Sequence, residues 1–498
     1  MKKLCRFLPM LLLQIASSTL VMGQQRIEIS PRESNLKVYV FDSGLKFLRY
    51  IPVDQSNAIS INPDEFSKNK LEIVITSNSD YYFIGSSQQI ADQKSIHLVQ
   101  SAPLPWIKIA DDTKLITDEN QYINIHAHGG LSGTLEEDLK GIIRLKLLGF
   151  NGFRLVFRTF NAETKNEPGI YLKTSGPPFN QTISGFTDEY INKYIVPKIN
   201  LAKLLGMYVS LDHQEMMIND QKVSDKYEGN PDLYRAWLDV WQHLSEKFKD
   251  EPAVAFYEVQ NEPGSTYSQD FVLKMHNDVI KLIRENDKNH IIAFGHSWAN
   301  ITQEFYLQKG IPDDPEKKLL YSMHHYYHKL SLKGDGGLAY KIAEAMNIGK
   351  KYKIPIWFGE TGFDGNYDPD DIDMVEKWYD VADRNFISTC FERDDDIRGV
   401  RKDNTDENYI SALEAKKRVF LSESNNWNIR CYRKDYKSGK SYVIVNPNPS
   451  SAAHIQINYP VFYNLSFSPD NKSVKIEDSR QGYVKINGNF KSIEVSVN

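Results

Sequence analysis

Between about residue 122 and residue 421, short apolar runs alternate eight times with longer amphipathic stretches. A short apolar run bounded by Gly, Asn or Asp fits a strand buried on both faces. An amphipathic stretch of period 3.6 fits a helix that covers such a sheet with one side. Repeated in strict alternation, the two require a parallel sheet with helical crossovers. The expected strands are Ile123–Ala127, Gly152–Phe157, Met207–Asp212, Val254–Val259, Ile291–Phe294, Leu319–Met323, Ile354–Phe358 and Phe386–Phe391. The first helix starts at Thr134, where Thr-Leu-Glu-Glu forms a capping box with Glu137. The next spans Asp188–Leu205, kinked or restarted at Pro197 and stopped by Gly206. Asn230-Pro231 opens the third. The rest are Ser268–Asn286, a weaker Ile301–Gln308, Leu338–Tyr352, Asp371–Ala382 and Tyr409–Leu421. The fold class is therefore α/β, a (β/α)8 TIM barrel with long loops. A doubly wound open sheet would carry fewer strands and a Gly-rich first turn, which this chain lacks.

The flanks read differently. Leu36–Phe41, Leu71–Thr76, Tyr81–Ile84 and Ile96–Val99 are β-rich runs between Asn, Ser, Asp and Gly clusters. Trp106–Ile109 and Leu115–Thr117 read as a short hairpin after a Pro-containing linker. Past Trp427 the chain is β again, from Ile429–Tyr432 to Ile493–Val497. This predicts an N-terminal β-sandwich over 24–104, the barrel over 105–424 and a C-terminal β-sandwich over 425–498. Residues 1–23 carry Lys2, Lys3 and Arg6 before an apolar stretch that ends in Val21-Met22-Gly23. That layout is a secretory signal peptide, so the expected location is secreted, periplasmic or cell-surface. No later stretch is apolar enough for a transmembrane segment. Cys390 and Cys431 remain after cleavage, enough for one bridge but no disulfide framework. A net charge of −5 without a basic stripe argues against nucleic acid as a partner.

In a barrel of this kind the chemistry sits where strands end. The fourth strand ends in Gln260-Asn261-Glu262-Pro263 and the seventh in Gly359-Glu360-Thr361-Gly362. Strands four and seven lie nearly opposite in an eight-strand ring. Two carboxylates facing across a cleft can cleave a glycosidic bond, one protonating the leaving oxygen and the other attacking carbon or activating water. Either Glu alone could equally cap a helix or pair with an Arg. The two together, each at a strand end, point to catalysis.

These two motifs resemble the acid/base and nucleophile segments of glycoside hydrolase family 5, a cellulase-like family of retaining barrel enzymes. Gly152-Phe153-Arg154-Leu155 resembles the family's second strand, and Tyr321-Ser322-Met323-His324-His325-Tyr326 its sixth. The resemblance covers about residues 106–420. It implies Glu262 as acid/base and Glu360 as nucleophile. It further implies Arg154 beside the nucleophile, Asn261 on the sugar 2-hydroxyl, His324 on substrate and Tyr326 hydrogen-bonded to Glu360. No cofactor is implied; the expected partner is a β-linked carbohydrate.

Two positions depart from the family pattern. The third strand reads Leu211-Asp212-His213-Gln214, with Gln214 in the slot where the family has His. Either Gln214 takes that sugar contact or the strand end shifts to present His213. The eighth strand lacks the family's Trp, and Phe391 or Glu392 falls near its place. The run from His324 to His328 invites a metal reading, as do His126 and His128. Adjacent strand residues point to opposite faces, so His324 and His325 cannot both face the mouth. His126 and His128 are expected as loop residues near substrate rather than metal ligands. A competing reading is a non-catalytic glycan-binding protein on a decayed barrel, but binding alone does not require Glu262, Glu360, Arg154 and Tyr326 together.

Overall fold

The structure is a computed structural model. It describes residues 24–498 except 92, 112, 130–133, 162–169, 175–182, 187–190, 219–220, 223, 225, 264–266, 296–303, 305, 328–335, 364–368, 393–415, 435–439 and 479–481. Residues 1–23, expected as a signal peptide, lie outside the described residues.

The barrel strands are β1 (His126–His128), β2 (Gly152–Asn161), β3 (Tyr208–Ile218) and β4 (Val254–Glu258). They continue with β5 (Ile291–Gly295), β6 (Leu319–Tyr327), β7 (Ile356–Phe363) and β8 (Thr389–Phe391). All eight pair in parallel, in the order β1-β8-β7-β6-β5-β4-β3-β2. The ring closes by packing at the β1–β2 seam, where a Cβ on Gly152 would stand 2.7 Å from Ile125 Cγ2. This is the expected TIM barrel, nearly closed in hydrogen bonding.

Helix α1 (Leu135–Leu147) starts on the capping box read from the sequence, Thr134 accepting from the Glu137 amide and Glu137 bonding back to Thr134. The second helix begins as a π-turn over Ile191–Ile195 and becomes α at Val196–Leu204, with Pro197 in its first turn. Two expectations change. Only a 3-10 turn, Tyr306–Lys309, stands among the described residues of the fifth helix. Most of the expected Tyr409–Leu421 helix lies outside the described residues, and Phe420–Ser424 is a strand. The loop after the second strand also holds more order than its Gly and Pro suggested. Ile170–Thr174 pairs with the extended end of β2, and Ile183–Phe186 pairs with Ile170–Thr174.

N-terminal residues form a three-stranded and a five-stranded sheet. Ile27, Ile59, Val38, Ile73 and the helical Phe66 share one apolar cluster between them. C-terminal residues form a four-stranded and a seven-stranded sheet. The expected hairpin, Ile107–Ala110 with Lys114–Thr117, joins that seven-stranded sheet through Tyr122–Ile123 and Phe420–Ser424. Pairing there leaves fewer unpaired strand edges. Both flanking units grip α1. Arg144 Nε donates to Leu45 O at 2.7 Å, and Val461 N donates to Leu147 O at 3.0 Å. Gly149, at φ +93°, lets Tyr459 approach so closely that a Cβ would stand 2.6 Å from its carbonyl carbon. Cys390 and Cys431 are buried free thiols, so the single bridge does not form. Among the described residues, no helix is long and apolar enough to cross a membrane.

Candidate active site

Side chains alternate along each barrel strand between the lumen and the helices. In the lower lumen the inward set is apolar, with Ala127, Phe256, Ala293, Leu320, Trp357 and Cys390 in one cluster. One step further up, the same strands turn polar. Phe256 on β4 is followed by Glu258, Leu320 on β6 by Ser322 and His324, and Trp357 on β7 by Glu360.

Glu360 breaks the parity, since Trp357 faces the lumen and a regular strand would send Glu360 outward. The β6–β7 register shifts between Met323 and His324, so that Met323 pairs with Phe358 and His324 with Glu360. Gly359 is the extra residue of this bulge. It must be glycine, because a Cβ there would lie 2.3 Å from Ser322 Oγ and 2.6 Å from Glu258 Oε1. A bulge that only Gly allows thus turns the carboxylate into the mouth.

Glu262 sits past the end of β4 in the left-handed region, at φ +35°. A non-glycine residue adopts that conformation only where the surroundings over-determine it. Just upstream, two buried indoles anchor the strand end, Trp237 Nε1 and Trp241 Nε1 both donating to Val259 O at 3.1 and 2.8 Å.

Arg154 on β2 is fully buried and ties the site together. Its Nε donates to Glu258 Oε2 at 2.7 Å, Nη1 to Glu360 Oε1 at 2.7 Å and Nη2 to Asn261 Oδ1 at 2.9 Å. Asp212 Oδ1 lies 3.0 Å from Nη2, and Glu392 Oε2 lies 3.8 Å from Nη1. Tyr326 donates its hydroxyl to the other oxygen of that carboxylate, Glu360 Oε2, at 2.5 Å. His324 Nδ1 lies 2.9 Å from Glu262 Oε1 and 3.5 Å from Glu360 Oε2, and its Nε2 lies 3.6 Å from Glu258 Oε1.

The charges sort by environment. Burial alone would lower the Arg154 pKa, yet Asp212, Glu258 and Glu360 raise it. Burial opposes ionisation of Glu360, but His324 and Arg154 hold it below the usual carboxylate range. Burial opposes it at Glu258 as well, and Arg154 and His324 again prevail. Burial also works against a charged His324, but Glu360, Glu258 and Glu262 push its pKa up to about 10. Burial pushes the Asp212 pKa well up against the pull of Arg154, and the charges of Glu258 and Glu360 add to the rise. Tyr326 is raised by burial and then by Glu360 and Glu392, so it remains a donor.

The structure brings Glu262, Glu360, Arg154, Asn261, His324, Tyr326 and Glu392 together at the mouth. It does not bring His213. That ring is buried, with Nε2 3.0 Å from Thr159 Oγ1 and Nδ1 3.3 Å from Gln260 Oε1, and burial lowers its pKa to about 4. Asp212 faces the lumen, so the next residue faces the helices. Gln214 is the unpaired residue of a bulge, since Phe157 pairs with His213 and Arg158 with Glu215. It is half-buried, and its carbonyl accepts from Gln260 Nε2 at 3.3 Å. Phe391 faces outward too, into the main core under the Lys416 ammonium at 4.2 Å. Glu392 therefore takes the inward slot at the end of β8.

His126 and His128 do not line the mouth. Ala127 between them faces the lumen, so both lie on the helix side, His126 Nε2 at 2.9 Å from Asp383 and His128 Nε2 at 3.3 Å from Lys416 Nζ. His325 likewise stands beside Trp378. Glu258, Asp212 and Ser322 are site residues that sequence reasoning missed. Glu258 stands in an otherwise apolar run, at the same parity as the inward Phe256, and a carboxylate in such a place is the signal that could have found it.

Glu262, His324 and Glu360 offer donor atoms all within 4.8 Å of one another, a spacing that could hold a cation. The Glu360 oxygen nearest His324, Oε2, already accepts from Tyr326, and Oε1 accepts from Arg154, so a cation there would compete with these donors and with the charge of the guanidinium.

Known proteins share this architecture. The endo-glycoceramidase II of Rhodococcus sp. superposes with a TM-score of 0.55 at 13% identity, covering 77% of this chain and 99% of that one. A crystal structure of an endogalactoceramidase superposes at 0.56 and 15%, covering 79% and 100%. These share the fold. Endoglucanase H of Acetivibrio thermocellus is 23% identical over 173 residues, covering 32% of this chain and 18% of the relative's length. The cellulase family profile, glycosyl hydrolase family 5, matches residues 126–391, from β1 to the end of β8. The chain is a glycoside hydrolase and belongs to glycosyl hydrolase family 5.

Proposed function

We propose that this hydrolase cleaves a β-linked glycan or glycoconjugate with retention, by double displacement. The observation that carries this is the carboxylate spacing. The facing oxygens of Glu262 and Glu360 lie within 4.8 Å of each other. Retaining pairs stand about 5–5.5 Å apart, whereas inverting pairs need about 6.5–9.5 Å to admit a water.

In the first step Glu360 attacks the anomeric carbon as Glu262 protonates the departing oxygen. The C–O bond to the leaving group breaks and an ester to Glu360 forms. In the second step Glu262 takes a proton from water, whose oxygen displaces Glu360. Arg154 and Tyr326 hold the two Glu360 oxygens, so the nucleophile is both aimed and kept ionised. Asn261 has its carbonyl oxygen engaged by Arg154, which turns its amide nitrogen into the donor for the sugar 2-hydroxyl. The Glu262 side chain is 17% exposed against 6% for Glu360, which suits the group that meets water.

The superposed proteins are an endogalactoceramidase and an endo-glycoceramidase, so a glycosylceramide belongs in the substrate range we test. Residues 1–23 have the layout of a cleaved leader, and we propose that the enzyme acts outside the cytoplasm. N-terminal sequencing of the mature protein checks this. The activity test is hydrolysis of fluorogenic β-glucoside, β-mannoside, β-galactoside and β-xyloside, β-glucan, mannan and a glycosylceramide by wild type and Glu360→Gln. Turnover that disappears in the variant is expected. Equal turnover in the two proteins would sink the assignment.

A further inference from the structure

Glu392 is not used by the two-step reaction, yet the fold builds a place for it. Its amide donates to Thr361 O on β7 at 2.7 Å, and the preceding carbonyl, Phe391 O, accepts from Gly129 N beside β1 at 2.8 Å. With Phe391 anchored outward in the core, Glu392 must face the mouth. Gly129 supplies the room, since a Cβ on it would stand 1.4 Å from Glu392 Oε2.

The carboxylate is not required to hold Arg154. Glu258, Glu360 and Asn261 already take that guanidinium's donors at 2.7–2.9 Å, while Glu392 stands at 3.8 Å. The location matters. The Nη1 that donates to Glu360 Oε1 also lies 3.8 Å from Glu392 Oε2, so Glu392 flanks the nucleophile. His324, with Glu262 beside it, approaches the other Glu360 oxygen, Oε2. A group beside the nucleophile faces the sugar that becomes attached to it, not the leaving group. The Glu392 side chain is 16% exposed, enough to meet that sugar.

We propose that Glu392 selects the sugar on the nucleophile side, accepting a hydrogen bond from one of its ring hydroxyls and excluding sugars with an anionic substituent. A carboxylate is acceptor-only when ionised, so it matches hydroxyls and repels a uronate or a sulfate. A site built to bond a hydroxyl discriminates strongly against the analogue that lacks it. This inference rests on the glycosidase reading above.

The test uses the full chain and Glu392→Ala, Glu392→Gln and Gly129→Ala. The last displaces the carboxylate without removing it. Substrates are the best aryl β-glycoside, its monodeoxy analogues and the matching β-glucuronide. For the parent glycoside, kcat/KM should fall about 10- to 100-fold in Glu392→Ala. One monodeoxy analogue should show that same loss in wild type and no further loss in the variant. The glucuronide should be cleaved faster by Glu392→Gln than by wild type, and Gly129→Ala should resemble Glu392→Ala.

Unchanged kcat/KM in Glu392→Ala would overturn the inference. So would an equal loss on the parent and every analogue, with additive effects. If wild type cleaves no glycoside, the functional reading fails instead. Calorimetric titration with the free sugars then decides the role of Glu392, an affinity loss of tenfold or more in Glu392→Ala supporting it and unchanged affinity refuting it.

Discussion

The lower and upper halves of the barrel lumen are built from the same strands and do opposite things. The lower half, around Phe256, Leu320 and Trp357, is apolar, and its residues contribute by leaving water. Two residues further along β4 and β6, and three along the bulged β7, stand Glu258, Ser322 and Glu360; the two carboxylates share the Arg154 guanidinium and Ser322 donates to Glu258. Carboxylates buried this close repel one another, and pairing with Arg154 and His324 outweighs that repulsion and the desolvation at Glu258 and Glu360. The difference teaches that the barrel separates stability from chemistry along the strand direction. Substitutions in the two layers should therefore fail in different assays.

The largest effect expected is on rate. Glu360→Gln should lower kcat by about 10⁴-fold or more, since it removes the nucleophile. Its melting temperature should fall by only a few degrees, because the amide oxygen can still accept one of the two bonds from Arg154 and Tyr326 while one anion leaves the network. A melting temperature lowered by ten degrees or more would break the separation. Trp357→Ala in the lower layer should show the reverse, a stability loss of about 3–5 kcal/mol in denaturant titration with near-normal kcat per folded molecule. Tyr326→Phe keeps the ring and removes only the bond to Glu360. A drop in kcat of about 10- to 100-fold is expected, as for a hydrogen bond to a charged group, with little change in stability.

The smallest effect sharpens the comparison through two buried histidines. His324 faces the carboxylates, and its pKa is raised from 6.5 to about 10. Its contribution to stability is therefore complete below about pH 6.5 and lost as pH rises through about 10. His213 faces the opposite side of its strand, where burial lowers its pKa from 6.5 to about 4. Its contribution is present above about pH 6.5 and lost as pH falls through about 4. Melting temperatures across pH should show His324→Asn flattening only the alkaline limb and His213→Asn only the acid limb. Both variants flattening the same limb would contradict the assignment of faces.

Much of this was legible in the residues. The eight alternations led to the barrel, and strand ends led to Glu262 and Glu360. Parity correctly separated His324 from His325. The same rule, applied to Ala127 and Asp212, would have sent His126, His128 and His213 outward, but strand bounds must be known before parity can be counted. The bulge at Gly359 was not legible, because local pattern cannot say where a register shifts. Glu258 was hidden because one charged residue in an apolar run still reads as a strand. Phe391 and Glu392 were adjacent candidates for one slot, and the start of β8 at Thr389 rather than Phe386 sets which one faces in.

The central claim is that Glu360 and Glu262 act as nucleophile and acid/base rather than as two partners of one water. Proton NMR of the first turnovers on the preferred β-glycoside tests it most directly. The account predicts that the β-anomer of the released sugar forms first and mutarotates later. The α-anomer appearing first would mean inversion and would contradict it.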